Sequence, residues 1–414
     1  MRILTARFVV PVTTPVIERG ALLLRDGHIR ALGSLETIAG TAPTGTPIED
    51  LGDAALLPGF VNPHTHLELT AYHGVLPRAP LWEWFNTLLP SRLTPGAADR
   101  ELASLRRGAQ MSLDAGVTLI GDISRCGITA SALGESPIRR ICFVELISGA
   151  SAPPSNIAEL ESMSADTEQS HGGDRCVIGV TPHAPYTVTP TDLRASVQLA
   201  TRRRCPLTMH LLETIEERDW LHGRPGFLAT FLRDRGLTCA DHQPDSPSAL
   251  LKAAGFDEFP ALFAHVNYDD AETTSLIAKA GSSVVYCPRA HAWFGHEGHP
   301  WRALLQAGVN VCVGTDSLAS NDSLSILDEL RFLAMRHPDV NAGELLSMGT
   351  SRSAHALGVA PFAGRLEPGA WADVCAIPCV AKSTNQVVDE IIRGAAQPAR
   401  TWVAGADVSM PDGL

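Results

Sequence analysis

Lysine is nearly missing from this chain. Lys252, Lys279 and Lys382 are the only three in 414 residues, and acidic side chains outnumber basic ones by 45 to 33, for a net charge of −12. That balance argues against nucleic acid or anionic membrane as a main partner, since both are recognised through basic patches. No apolar run approaches membrane-spanning length. The first residues, Met1-Arg2-Ile3-Leu4-Thr5, hold no long apolar core ahead of a cleavage site. Cysteine occurs nine times but never in Cys-x-x-Cys spacing. Buried, reduced thiols are therefore expected rather than a disulfide framework or a thiolate metal site. These absences predict a soluble cytoplasmic protein, without nucleic-acid or membrane partners, that acts on a small molecule. No pattern encodes the oligomeric state, and a homo-oligomer is left open.

What is present is a globular composition, 45% hydrophobic and 19% charged. Short strand-like runs open the chain at residues 8–10, 21–24 and 28–32, with Asp26-Gly27 as a hairpin signal. Residues 40–50 read as a loop. From Leu56 the pattern becomes apolar runs alternating with helical segments. Counting the run at Leu56, there are eight buried-strand candidates, the others at 117–122, 141–146, 176–180, 207–210, 262–265, 284–287 and 311–314. Such alternation predicts an α/β fold with a parallel sheet covered by helices. Eight strands in that length fit a (β/α)8 TIM-type barrel, with a doubly wound open sheet as the alternative. After Gly358 the chain returns to β character. The expected architecture is a barrel at 58–361 inserted into a small discontinuous β-sandwich domain at 1–57 and 362–414. Residues 220–255 read as an insertion or long loop on the catalytic face.

The chemistry sits where apolar runs end. His64-Thr65-His66 closes the first run, and in a strand residues i and i+2 face one way, so both imidazoles can reach one ion. His210, His265 and Asp316 close later runs. A buried carboxylate at Asp316 calls for a cation, and Gly314-Thr315 permits close approach. His64, His66, His210 and Asp316 would hold one divalent ion per chain, with Zn²⁺ expected and Fe²⁺ the alternative. Such an ion lowers the pKa of water towards neutral. Asp316 can then accept the water proton, His265 can hydrogen-bond a developing oxyanion, and Glu213 can protonate a substrate nitrogen. The competing reading of Glu213 is a charge at a helix N-terminus. This set predicts hydrolysis of a C–N bond, in an amide or at an amidine-like ring carbon.

Pro58-Gly59-Phe60-Val61-Asn62-Pro63-His64-Thr65-His66, with His210, Glu213, His265 and Gly314-Thr315-Asp316, resembles the amidohydrolase superfamily over nearly the whole chain. The resemblance is closest to its mononuclear branch of cytosine, guanine and adenosine-type deaminases. It implies that the His-x-His pair, a third histidine and an aspartate bind metal, with the glutamate of His210-x-x-Glu213 as proton shuttle. No lysine stands at a strand end to serve as a carbamylated bridging ligand, unlike the binuclear branches. His64-Thr65-His66-Leu67-Glu68-Leu69, Tyr286-Cys287-Pro288-Arg289-Ala290-His291 and the run from Gly314 to Leu330 are together similar to aminodeoxyfutalosine deaminases, which implies a nucleoside with a carboxylate-bearing tail.

For substrate, Thr181-Pro182-His183-Ala184-Pro185 resembles a deaminase segment whose histidine contacts substrate. Glu68 and Trp82 stand near the first ligands, where an aromatic pocket suits a flat heterocycle. Arg289 and His291, in Tyr286-Cys287-Pro288-Arg289-Ala290-His291, depart from the Ser-Asn usual in related deaminases. They suggest a cationic partner for an anionic tail. The competing reading pairs Arg289 with a surface acid. Two other functions are open: hydrolysis of an s-triazine, imidazolone or cyclic amide, and a non-catalytic scaffold. The scaffold reading conflicts with the complete ligand set.

Overall fold

The computed structural model describes residues 1–150, 154–224, 226–236 and 245–409. Five strands come first: β1 (Arg2–Val9), β2 (Ile17–Arg25), β3 (His28–Ser34), β4 (Ile48–Asp50) and β5 (Ala54–Pro58). The β2–β3 hairpin turns on Asp26 and Gly27, whose φ values of 52° and 73° place both in the left-handed region. That pair is the one a two-residue hairpin turn demands. Residues 40–50, expected as a loop, include the end of a helix (Leu35–Thr41) and β4. Both are short enough to escape a search for periodicity.

Eight parallel strands follow: β6 (Phe60–Thr65), β7 (Val117–Ser124), β8 (Arg139–Leu146), β9 (Cys176–Pro182), β10 (Thr208–Leu211), β11 (Leu262–His265), β12 (Ser283–Tyr286) and β13 (Asn310–Val313). They pair as two four-stranded sheets, β6 to β9 and β10 to β13, each in chain order. Single parallel bridges join the sheets on both sides, Val180 with Leu207 and Thr65 with Asp316. Apolar residues from both sheets, among them Val61, Phe143, Ala264, Val285 and Cys312, share one buried cluster. The helix Ala97–Asp114 shows how the outer layer is built. Its buried residues Ser104, Leu105, Gly108, Ala109, Ser112 and Leu113 repeat at helical spacing.

The run at Leu56 is two strands, not one. Gly59 separates them, and a Cβ there would lie 2.2 Å from Thr118 Oγ1, so no other residue fits the break. β5 turns away to pair antiparallel with β14 (Val374–Pro378), which continues through β15 (Arg400–Val403) to β16 (Ala406–Asp407). The N- and C-terminal strands thus form one hydrogen-bonded eight-stranded sheet, in place of the β-sandwich expected for this discontinuous domain. Its inner face buries Leu4, Leu22, Leu56, Val374 and Trp402. Arg139 on β8 donates to Asp373 just before β14 (Nε to Oδ2, 2.7 Å), and its guanidinium lies 4.0 Å from the Trp371 ring. This buried pair bonds the terminal sheet to the parallel strands.

The described part of the 220–255 region carries the helices Phe227–Arg233 and Pro247–Ala254. Residues 225 and 237–244 of that region, with Cys239 and His242, lie outside the described residues. Cys142, Cys176, Cys205, Cys287, Cys312, Cys375 and Cys379 are free thiols. Among the described residues no helix is long and apolar enough to cross a membrane.

Candidate metal centre and active site

The C-terminal ends of four parallel strands converge on one point. His64 lies in β6 and His66 just beyond it, His210 in β10, His265 at the last position of β11, and Asp316 three residues past β13. Two of these turns hold non-glycine residues in the left-handed region, His265 at φ 74° and Asp316 at φ 56°. Each costs about 1–3 kcal/mol and persists only because its surroundings hold it. At Asp316 the hold is visible. Its N–H donates to the His64 carbonyl (3.2 Å), its carbonyl accepts from Thr65 Oγ1 (3.0 Å), and its Oδ2 accepts from Ser320 Oγ (2.7 Å). Gly314 lets the strands approach, since a Cβ there would meet the His64 carbonyl at 3.0 Å and Val285 Cγ2 at 2.8 Å.

The donor atoms face one another across a short gap. His66 Nε2 and His210 Nε2 are 3.3 Å apart. His210 Nδ1 stands 2.9 Å from the His183 carbonyl and must carry the proton there, which leaves Nε2 with a bare lone pair. His64 is fully buried, and neither of its ring nitrogens has a hydrogen-bond partner. Asp316 Oδ1 lies 3.7 Å from His64 Nε2 and 3.5 Å from His66 Nε2. An orphaned buried nitrogen costs about 1–3 kcal/mol, a penalty that a bound cation removes. Two overlapping donor triads, His64–His210–His265 and His64–His66–Asp316, each lie within 4.8 Å. Imidazoles and a carboxylate so disposed could hold Zn²⁺ or Fe²⁺.

Electrostatics give these side chains their ligand forms. Burial drives His66 down to about 3 and His210 and His265 well below the ordinary histidine value, so all three are neutral. Burial also pushes Asp316 upward, but the neighbouring His64, His66 and His265 overrule it and hold the carboxyl below its usual range.

Glu213 behaves in the opposite way. Burial, with the charges of Asp316 and Glu217, raises it well above an ordinary carboxyl. Its Oε1 stands 3.6 Å from His265 Nε2. The helix-terminus role belongs to its neighbours. Thr214 caps the helix Ile215–Leu221, and the Glu217 carboxylate accepts from the N–H groups of Leu212 and Glu213, both at 2.9 Å. This is a capping box, and it leaves the Glu213 carboxyl free to face the site.

The site opens into a cavity of about 1000 Å³. Of the expected substrate contacts, Glu68, Trp82 and His183 line it. His183 Nδ1 is held by Thr187 Oγ1 at 2.7 Å, and Trp82 packs on Tyr186 and Phe231. Arg289 and His291 do not line it. Arg289 instead pairs with the half-exposed Asp322 at 3.5 Å, and its N–H donates to Glu329, which is the surface-acid reading. His291 is buried against Tyr286 and the rings of His296 and His299. The helix Pro288–Trp293 carries both residues off the strand axis.

Three cavity residues escaped the sequence reading. Arg92 ends the helix Leu81–Arg92, and its guanidinium serves both Glu68 and Glu101. Glu145, the penultimate residue of β8, is raised to about 7 by burial. Its position near a strand end was the available signal. Arg235, at the rim, is held by Asn86 and the Phe231 carbonyl. Nothing local in the sequence marks it.

Comparison with known proteins fits this geometry. The model of the amidohydrolase family matches residues 55–406. The chain belongs to the amidohydrolase family. Among relatives of this amidohydrolase is the 5-methylthioadenosine/S-adenosylhomocysteine deaminase of Desulforamulus reducens. It is 27% identical over 413 residues, covering 96% of this chain and 90% of the relative. Among solved structures, an adenosine deaminase from Xanthomonas campestris with bound zinc is 25% identical. It superposes with a TM-score of 0.84 and covers 98% of this chain and 92% of that one. Helicobacter pylori aminofutalosine deaminase, in complex with methylthio-coformycin, has the same fold. Its TM-score is 0.87 at 22% identity, with 99% and 100% covered.

Proposed function

We propose that this amidohydrolase is a metal-dependent aminohydrolase that deaminates an adenine-type nucleoside and releases ammonia. We further propose that its eight parallel strands close as a TIM-type barrel, with the active site at the strand C-terminal ends. The observation that carries the reading is Glu213: a carboxyl biased to keep its proton, 3.6 Å from His265 and facing the same cavity as the metal donors.

His64, His66, His210 and Asp316 would hold the ion, and His265 stands beside them. A divalent ion there supplies Lewis acidity and makes water nucleophilic near neutral pH. Asp316, kept ionised, accepts the proton of the attacking water on its carboxylate. Glu213 donates its proton to a ring nitrogen of the base and then carries the next one to the leaving amine. His265 Nε2 hydrogen-bonds the oxygen that enters the ring carbon. Trp82, His183 and Glu68 flank the nucleoside, and the aromatic wall excludes water from the reacting carbon.

The relatives bear names of nucleoside deaminases with different 5′ substituents, 5-methylthioadenosine and S-adenosylhomocysteine in one case and aminofutalosine in another. Arg289 offers no support for a carboxylate-bearing tail, because it faces Asp322. The test is ammonia release by zinc-loaded protein with adenosine, 5-methylthioadenosine, S-adenosylhomocysteine, aminodeoxyfutalosine, guanine and cytosine. Turnover of the adenine nucleosides, lost in Glu213→Gln with metal retained, is the expected result. Full metal occupancy with no ammonia from any of them would replace this reading with ring or amide hydrolysis.

A further inference from the structure

A second concavity lies away from the catalytic cavity, at the opposite ends of the parallel strands. It encloses about 440 Å³ and is lined by Arg352, Arg365 and His355, with Thr13, Ser351 and Asn310. Asn310 is the first residue of β13, so the pocket opens at the N-terminal end of a strand whose C-terminal end leads to Asp316. Thr13 comes from the β1–β2 connection, so the pocket also spans the seam with the terminal sheet.

Its charge is unusual for a chain of net charge −12. No acidic side chain lines it. The Arg352 guanidinium bonds only Ser347 Oγ, through Nε at 3.2 Å, and meets no carboxylate among the described residues. Arg365 reaches Glu367 at the edge of bonding range (Nη1 to Oε2, 3.4 Å), while its Nε is buried with no partner. Glu367 also accepts from Thr13 Oγ1 at 2.5 Å and so fixes the pocket wall. Asn310 Nδ2 donates to the Arg352 carbonyl (3.0 Å) and to Ser283 Oγ (3.0 Å), which anchors the arginine backbone to two strands. Two guanidiniums, one without a counter-charge and one with a buried unused donor, make a preformed anion receptor.

We propose that this pocket binds a small multivalent anion, a phosphate or polycarboxylate group, held by Arg352 and Arg365 with a hydroxyl donor from Ser351. The site is independent of the catalytic reading, because none of its residues reaches the metal donors. A ligand there bridges the β1–β2 connection and the segment after β13, so binding stabilises the folded chain by mass action.

The test is calorimetric titration and thermal unfolding of the full chain with inorganic phosphate, ribose 5-phosphate, citrate and, as an ionic-strength control, chloride. Saturable binding tighter than about 1 mM by the phosphates or by citrate, but not chloride, is expected, and which of them binds identifies the source. Arg352→Gln and Arg365→Gln should each weaken that binding at least about tenfold, or about 1.4 kcal/mol, with the ligand-free unfolding temperature and ammonia release unchanged. Arg352→Lys separates fork geometry from bare charge, and it should recover only part of the affinity. Equal binding by both glutamine variants, or no saturation by any anion, would overturn the proposal.

Discussion

At the scale of single residues, function and stability make opposite demands on buried carboxyls. In the proposed reaction Asp316 stays ionised and Glu213 keeps its proton, and the same burial acts on both. Neighbouring histidines decide the first case, while nearby Asp316 and Glu217 reinforce burial in the second. Glu213→Gln keeps the shape and removes the transferable proton. Steady-state assays should show kcat lower by about 10²–10⁴-fold, with metal content unchanged by atomic absorption. Asp316→Ala should lose both activity and metal while circular dichroism stays that of the parent. Asp122 allows a test of pH dependence. It accepts from the Leu67 N–H and the Thr129 hydroxyl, and burial raises it to about 8. The folded state therefore retains a proton that the unfolded chain loses near 3.8. Stability should fall as pH rises through this window and level off above the folded value, by at most ~1.4 kcal/mol per pH unit. Asp122→Asn removes the titrating group while keeping an acceptor for the Leu67 N–H and offering Thr129 Oγ1 an amide donor, and urea unfolding between pH 5 and 8 should show the slope flattened.

At the scale of elements, strand ends carry the chemistry and one helix shapes the cavity. Leu81–Arg92 supplies Trp82, Phe85 and Leu88 to the wall and Arg92 to the floor. Trp82→Ala should raise KM for the nucleoside far more than it lowers kcat, because the ring packs in the aromatic wall against Tyr186 and Phe231 and carries no group that titrates. Equal loss in both parameters would move Trp82 into the chemical step. The strand ends were legible in sequence because apolar runs closing in His or Asp are rare and local. The helix Pro288–Trp293 was not read, and with it the positions of Arg289 and His291. Its six residues are too few for periodicity, and side-chain direction there depends on where the following chain packs.

At the scale of the whole molecule, the buried Arg139–Asp373 pair joins segments 234 residues apart. Arg139→Ala leaves Asp373 with its carboxylate buried, so chemical denaturation should report a loss of about 3–5 kcal/mol. Removing the metal by chelation should lower the unfolding temperature as well, and readdition of Zn²⁺ should restore it. Differential scanning of chelated and reloaded protein checks this.

The amino-acid order alone was enough for the alternation of strands and helices, the return to β structure after Gly358 and the strand-end positions of His64, His66, His210, His265 and Asp316. Each is a local pattern: period-two facing, hydrophobic runs, and a polar residue where a run stops. Tertiary structure alone decided the split at Gly59, where contact with Thr118 forbids a side chain, and the single terminal sheet. It also decided which cations meet the cavity. Arg92 and Arg235 face it while Arg289 faces Asp322. A long side chain's partner is set by elements distant in sequence, and no periodicity along the chain encodes that encounter.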